Sequence, residues 1–477
     1  MRHFEDRNDT ICALATPGVS SAISVIRVSG KDAIAVADKI FRPLSGPSLL
    51  DGNTRTMRLG TIIKDGSVID EALVAVFRAP ASYTGEDSVE IFCHGSLFIQ
   101  KEILMLLFEA GARQAGPGEF SMRAFLNGKM DLAQAEAVAD LISSETSGAH
   151  RIAMQQMKGG FSKKLSEMRS ELLNLVSLME LELDFSEEDV EFADRTRLRN
   201  ILDGVRVHIE TLIESFKLGN VIKNGVPVAI VGATNTGKST LLNSILGEER
   251  AIVSDIHGTT RDFIEDVVNI EGTAFRFIDT AGIRKTEETI ELIGIERTYE
   301  KIRKASVVIL MLDAERSDSF SDSIAKVAES PALNTQTIFV LVNKIDSIPG
   351  GKSREEQLIS LAAGFAAESG LKPYLSMGIS AKSEKGLKEL KKALVSSQNF
   401  PQAGTDELLV TNIRHHQALL LALEALNRVE EGMNSSVSTD LLTQDIREAL
   451  FHLGEIVGEI NTEEILGNIF SKFCIGK

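Results

Sequence analysis

The sequence predicts an α/β domain inserted into an all-α helical domain, with an α+β domain in front of both. Three observations carry that expectation. Short β-rich runs broken by turn clusters fill about residues 1 to 128, among them Ala22-Ile-Ser-Val-Ile-Arg-Val28 and Glu71-Ala-Leu-Val-Ala-Val-Phe77. From Asp131 to about Asn220 apolar residues recur at helical spacing, and helix returns after about Gln398. Between these stretches, from Val226, strands and helices alternate. The expected segments are therefore 1–128, 129–223, 224–397 and 398–477.

Each element has a local reason. Asp131 with Gln134 forms a capping box, and Leu132, Val138, Leu141 and Ile142 follow at three and four spacing. Near the other end Leu442, Ile446, Leu450, Leu453, Val457 and Ile460 fall on one stripe. Neither stripe has a partner unless the two pack together, so the helical segments are expected to form one bundle.

The chain has 477 residues, enough for roughly three domains at the usual ~150 residues each. No apolar run approaches the roughly 18 residues a membrane span needs, and Met1 to Arg7 alternates charges without an apolar export segment. A soluble cytoplasmic protein that does not engage membranes is expected. Cys12, Cys93 and Cys474 lie far apart, form no metal-type pair and suit a reducing compartment. A net charge of −17 argues against a generic nucleic-acid coat. The best local basic run sets Arg151, Lys158, Lys163, Lys164 and Arg169 against Glu167, which from charge alone reads as a solvated helix face. The eight acids from Glu180 to Asp194 would repel phosphate.

The inserted segment carries the chemistry. Val226-Pro-Val-Ala-Ile-Val231 is a buried-strand run, followed at once by Gly232-Ala-Thr-Asn-Thr-Gly-Lys-Ser239 and an apolar helix start. This is a phosphate-binding loop in its required context. Its glycines let backbone N–H groups wrap phosphates at a helix N-terminus, Lys238 supplies charge to the β- and γ-phosphates, and Ser239 offers a hydroxyl to Mg²⁺. Further matches follow in order: Asp279-Thr-Ala-Gly282, Asn343-Lys-Ile-Asp346 and Ser380-Ala-Lys382, each at the C-terminal end of an expected strand. The set reads as an α/β P-loop GTPase domain. Asp346 chooses the base, because its carboxylate accepts from N1–H and the exocyclic amine of guanine, and adenine offers neither donor there. Asp279 would hold Mg²⁺, the Gly282 N–H would sense the γ-phosphate, and Thr259 and Thr260 are candidates for the switch contact to Mg²⁺ and γ-phosphate. Ile283 stands where Ras-type GTPases keep a water-positioning glutamine, so another group must orient the water.

These motifs, with Gly258-Thr-Thr-Arg-Asp262, Ile293-Gly-Ile-Glu-Arg297, Phe125-Leu-Asn-Gly-Lys-Met-Asp-Leu-Ala-Gln-Ala-Glu136 and the terminal Phe473-Cys-Ile-Gly-Lys477, resemble along essentially the whole chain the tRNA-modification GTPase family called MnmE or TrmE. The resemblance implies an N-terminal folate-binding and dimerising domain, a helical domain made of two chain segments and an inserted G domain. It implies a homodimer working with a FAD-containing partner, MnmG or GidA. That pair adds an aminomethyl-type (carboxymethylaminomethyl) group at C5 of the wobble uridine of certain tRNAs, from a tetrahydrofolate donor in the 5-formyl or 5,10-methylene form. It further implies that Asn235 coordinates K⁺ and that Glu291 positions the water, with Arg284 and Glu287 nearby as helpers; Lys238 counts as catalytic through its charge on the phosphates, and Thr236, Gly237, Thr240, Lys344, Ala381 and Lys382 complete the GTP contacts of the motifs. Arg27, Glu86 and Lys129 match the folate site, and Cys474 is a candidate reactive thiol. Ala233-Thr234 stands where many relatives have a basic residue and proline. The competing readings are a ribosome-assembly GTPase and a signalling switch without modification chemistry. The first should append a basic RNA module with a Gly-x-x-Gly loop, and nothing after residue 398 resembles one.

Overall fold

The computed structural model describes residues 9–51, 53–184, 195–247, 266–278, 299–330, 333, 336–398, 408–435, 437–460, 463–471, 473 and 475–476. The chain begins with β1 (Ile11–Leu14), β2 (Ile23–Ser29), α1 (Ala33–Ile40), β3 (Phe41–Pro43), β4 (Thr56–Lys64), β5 (Ser67–Phe77), β6 (Ser88–His94), α2 (Leu97–Ala110), β7 (Arg113–Gln114) and α3 (Glu119–Leu126). Helices α4 (Leu132–Ser143), α5 (Ser147–Met157), α6 (Gly160–Asp184) and α7 (Arg195–Asn224) follow. Then come β8 (Val226–Val231), α8 (Lys238–Gly247), β9 (Asp266–Ile270), β10 (Thr273–Phe277), β11 (Val307–Asp313), α9 (Phe320–Ala328), β12 (Thr337–Asn343), α10 (Gly351–Glu368), β13 (Leu375–Gly378) and α11 (Leu387–Ser397). Helices α12 (Ile413–Asn434), α13 (Thr439–Val457) and α14 (Glu463–Phe470) complete it. Two compact units result: residues 1–142, 153–210 and 417–477, and residues 143–152 and 211–416.

In the first unit seven strands run in the order β3-β4-β5-β6-β2-β1-β7, antiparallel except for the β1–β7 pair. Alternation decides the faces. Ile26, Val28, Val74, Val76, Val89 and Ile91 are buried with Ile34 and Ile40 of α1 and Ile103 and Leu107 of α2. The residues between them, including Arg27 and Glu90, point to the opposite face. The capping box forms as expected: Gln134 N donates to Asp131 Oδ1 at 2.8 Å, and Asp131 N to Gln134 Oε1 at 2.9 Å. The stripe of α13 packs on α6, whose Leu165, Met168, Leu172 and Leu175 are buried. Ile460 departs from the expected stripe, because α13 ends at Val457 with Gly458 in the left-handed region at φ +83°. No other residue fits there, since a Cβ on Gly458 would lie 2.8 Å from the Phe125 ring. The helical run after Asp131 also breaks at Gly159, φ +82°, rather than continuing.

In the second unit six strands run in the order β13-β12-β11-β8-β10-β9, parallel except for the β9–β10 pair. Apolar clusters cover both faces: Val228, Ile230, Phe277, Ile309 and Phe339 on one, Ala229, Val231, Val308, Leu310 and Val340 on the other. That explains the unbroken apolar runs. The strand order turns back at β8, so its C-terminal end is the place where such sheets bind ligands. Among the described residues no helix is long and apolar enough to cross a membrane.

Candidate functional site

The loop from Gly232 to Gly237 joins β8 to α8 and is shaped by its backbone. Gly232, Asn235 and Gly237 have φ of +145°, +63° and +96°. A Cβ on Gly232 would lie 2.4 Å from the Met311 carbonyl oxygen, and one on Gly237 2.2 Å from Asn343 Nδ2. Only hydrogen fits at either place, and the curl it permits presents N–H groups at the start of α8. Buried Thr236 donates from Oγ1 to the Ala233 carbonyl at 3.0 Å. Lys238 Nζ donates to the carbonyls of Gly232 at 2.9 Å and Ala233 at 2.6 Å. Burial pushes its ammonium down to about 8, and the charge of Lys301 adds to the shift. Ser239 is half-buried and Thr240 exposed in the first turn of α8, and Asn235 is exposed on the loop.

The other strand ends are tied to this loop by side chains. Asn343, buried at the end of β12, donates from Nδ2 to the Thr236 carbonyl at 2.8 Å and accepts from the Ala381 amide at Oδ1 at 2.9 Å. Ser244 of α8 donates to the Ala381 carbonyl at 2.8 Å. Buried Ser380 accepts from Ser383 N at 3.1 Å, while its own amide donates to the Lys385 carbonyl at 3.0 Å. Lys344 Nζ bonds Asp313 Oδ2 at 2.6 Å. Asp346 and Lys382 are exposed. The loop is thus joined through Asn343 to Ala381 at the C-terminal ends of the strands. Thr259, Thr260, Asp279, Gly282, Arg284, Glu287, Glu291 and Cys474 lie outside the described residues. Asp313 and Ser244 escape sequence reading, because neither belongs to a motif; the one signal for Asp313 is an acid closing the apolar run Val307 to Leu312.

A second constellation lies in the first unit, around the loop Tyr83 to Asp87. Arg27 Nη2 pairs with Glu90 Oε1 at 2.7 Å across β2 and β6, and its guanidinium lies 5.1 Å from the Tyr83 ring centroid and 5.7 Å from that of Phe120. Glu86 Oε2 accepts from Ser29 Oγ at 2.8 Å, and Ser29 shares the strand face of Arg27. Lys129 Nζ donates to the Pro80 carbonyl at 3.0 Å, and its stem passes within 3.3 Å of where a Gly85 Cβ would stand. Arg27, Glu86 and Lys129 therefore converge on one loop, although both cations already hold partners within the chain.

Behind Glu86 stands a network that spacing does not reveal. Arg123, whose side chain is 7% exposed, contacts Glu86 at 3.3 Å, Asp9 Oδ1 at 2.5 Å and Glu119 Oε1 at 3.0 Å. Arg113 bonds Glu119 at 2.6 Å and also Asp9. Burial raises the Glu119 carboxyl, but Arg113, the Gly116 amide and Arg123 outweigh it and hold the group below the usual range. Asp9 is lowered in the same way, burial opposing and the two arginines prevailing. Cys12 and Cys93 are buried; burial pushes the Cys12 thiol up to about 12, and burial with the charge of Asp70 pushes Cys93 up to about 11, which disfavours the thiolate at both. In the basic run, Arg151, Lys158 and Lys163 are exposed, while Arg169 pairs with Glu459.

A model of the TrmE N-terminus, a GTP-binding protein, matches residues 10–129, and a model of the MnmE helical domain matches residues 132–474. The tRNA modification GTPase MnmE of Bacteroides thetaiotaomicron is 51% identical over 473 residues, covering 98% of this chain and 99% of that protein. Those of Bacteroides fragilis strain YCH46 and Flavobacterium johnsoniae are 52% and 49% identical, with the same coverage. With near-complete coverage on both sides, the chain belongs to the tRNA modification GTPase MnmE family.

Proposed function

We propose that the chain is a GTPase whose turnover drives tRNA modification. With a FAD-containing MnmG partner it installs a carboxymethylaminomethyl-type group at C5 of the wobble uridine, using a tetrahydrofolate one-carbon donor. The observation that carries the nucleotide half is the Asn343 bridge, which locks the phosphate loop to the segment that meets the base. On this reading the GTP contacts are residues 232 and 235–240, Thr259, Thr260, Asp279, Gly282, Asn343, Lys344, Asp346 and Ser380 to Lys382. The segments 1–128, 129–223, 224–397 and 398–477 are its domains.

The donor set suits the two cations: the Ser239 hydroxyl with Thr260 and Asp279 offers hard oxygens to Mg²⁺, and the amide oxygen of exposed Asn235 is a neutral ligand of the kind K⁺ takes. When bound, the cations supply positive charge against that developing between the β- and γ-phosphates. Lys238 exchanges its two carbonyl partners for phosphate oxygens, whose negative charge favours the ammonium that burial disfavours. Glu291 orients the attacking water. Arg27, Glu86 and Lys129 present cations and a carboxylate around an aromatic wall, matching the carboxylates and ring donors of a folate. Cys474 is the candidate thiol of the modification step. A homodimer has a surface to use: Leu59, Leu73, Phe92 and Val25 are register neighbours on the sheet face away from α1 and α2, with Leu59 and Leu73 47% and 40% exposed.

Nucleoside mass spectrometry of bulk tRNA from cells lacking the protein tests the reading. The expected result is loss of the modified wobble uridine, and an unchanged profile overturns it. GTP turnover stimulated by K⁺ and lost in Asn235→Ala checks the cation role, which equal rates in Na⁺ and K⁺ would refute.

A further inference from the structure

Asp313 belongs to none of the nucleotide motifs, yet it is 6% exposed and both its oxygens are engaged. Oδ1 accepts from the Glu315 amide at 3.1 Å, and Oδ2 from Lys344 Nζ at 2.6 Å. It is the last residue of β11, register-paired with Asn343 at the end of β12. A carboxylate buried there needs a cation, and Lys344 is the one supplied. Glu315, half exposed, stands farther off at 3.8 Å from the same ammonium.

Lys344 is held at both ends. Its backbone sits at φ +66°, a region non-glycine residues rarely adopt, directly after an Asn343 fixed to Thr236 and Ala381. Its ammonium is fixed to Asp313. The four-carbon stem between these anchors can take few rotamers, so the ordering that a flexible lysine undergoes on binding is already done.

We propose that Asp313 is a positioning residue for base selection: it anchors Lys344 so that the lysine stem forms a fixed apolar ledge for the flat face of a guanine whose edge Asp346 reads. This rests on the assignment of Asn343, Lys344 and Asp346 to the base. Asp313→Asn keeps an oxygen to cap the Glu315 amide but removes the charge that holds the ammonium, separating anchoring from simple turn capping.

The test measures dissociation constants of the full chain for GDP and for inorganic tripolyphosphate, both with Mg²⁺. Asp313→Asn is expected to weaken GDP about tenfold, the scale of immobilising one long side chain, and to leave tripolyphosphate within about twofold. In a Lys344→Met background, which keeps a stem without an ammonium, Asp313→Asn should add less than about twofold, so the pair couples in a double-mutant cycle. GDP affinity within twofold of the parent, an equal loss of tripolyphosphate, or an undiminished loss in the Lys344→Met background overturns the proposal. Asp346→Asn separates the two levels. Normal GDP binding by that variant removes the base assignment and the proposal with it, whereas weak binding there with normal binding by Asp313→Asn removes the role of Asp313 alone.

Discussion

The phosphate loop and the charged network behind Glu86 both hold polar groups in place, but by opposite means. The loop does so with main chain: three positive φ values within six residues and two glycines pressed against Met311 and Asn343. The network does so with side chains drawn from Asp9, Glu86, Arg113, Glu119 and Arg123, up to 114 residues apart. Backbone curvature is written in consecutive residues and tolerates exposed neighbours such as Asn235. Buried charges need partners at bonding distance, wherever in the chain those partners come from.

That contrast can be broken at either end. The largest effect is expected from Arg123→Met, which leaves carboxylates of Asp9, Glu86 and Glu119 short of a buried cation. Such a loss costs about 3 to 5 kcal/mol of stability in the first unit. Denaturant unfolding measures it, and GTP affinity should stay unchanged; a loss below about 1 kcal/mol would mean that the network contributes little. Next, Gly237→Ala places a methyl group 2.2 Å from Asn343 Nδ2 and strains a φ of +96°. It should weaken GTP by about 100-fold, as expected of roughly 3 kcal/mol of clash and strain. Titration with a fluorescent guanine nucleotide checks this, and near-parental affinity would show that the loop does not need its observed curl.

The smallest effect sharpens the comparison through pH. Asp9 and Glu119 are held below their usual values, so their contribution to stability is fully present above about pH 4.5 and is lost as the pH falls through the lowered folded values. Melting temperatures from pH 6 to pH 3 should decline on the acid side, and Arg123→Met should flatten that decline. An identical acid slope in parent and variant would detach the two carboxyls from Arg123.

The sequence by itself determined the order of the classes of structure, the strand Val226 to Val231, the capping box of Asp131 and Gln134, and the alignment of the phosphate loop with the segments at Asn343 and Ser380. These are legible because a turn, a cap or a strand-end motif depends on residues within a few positions of one another. Tertiary structure alone decided that α13 stops at Gly458 against Phe125, that Arg27 is matched by Glu90, and that Arg123 backs Glu86. It also decided that Asp313 closes on Lys344. Each of those depends on which distant segment a buried or strained group meets, and such a group accepts whatever complementary surface packing delivers, for which adjacent residues carry no code.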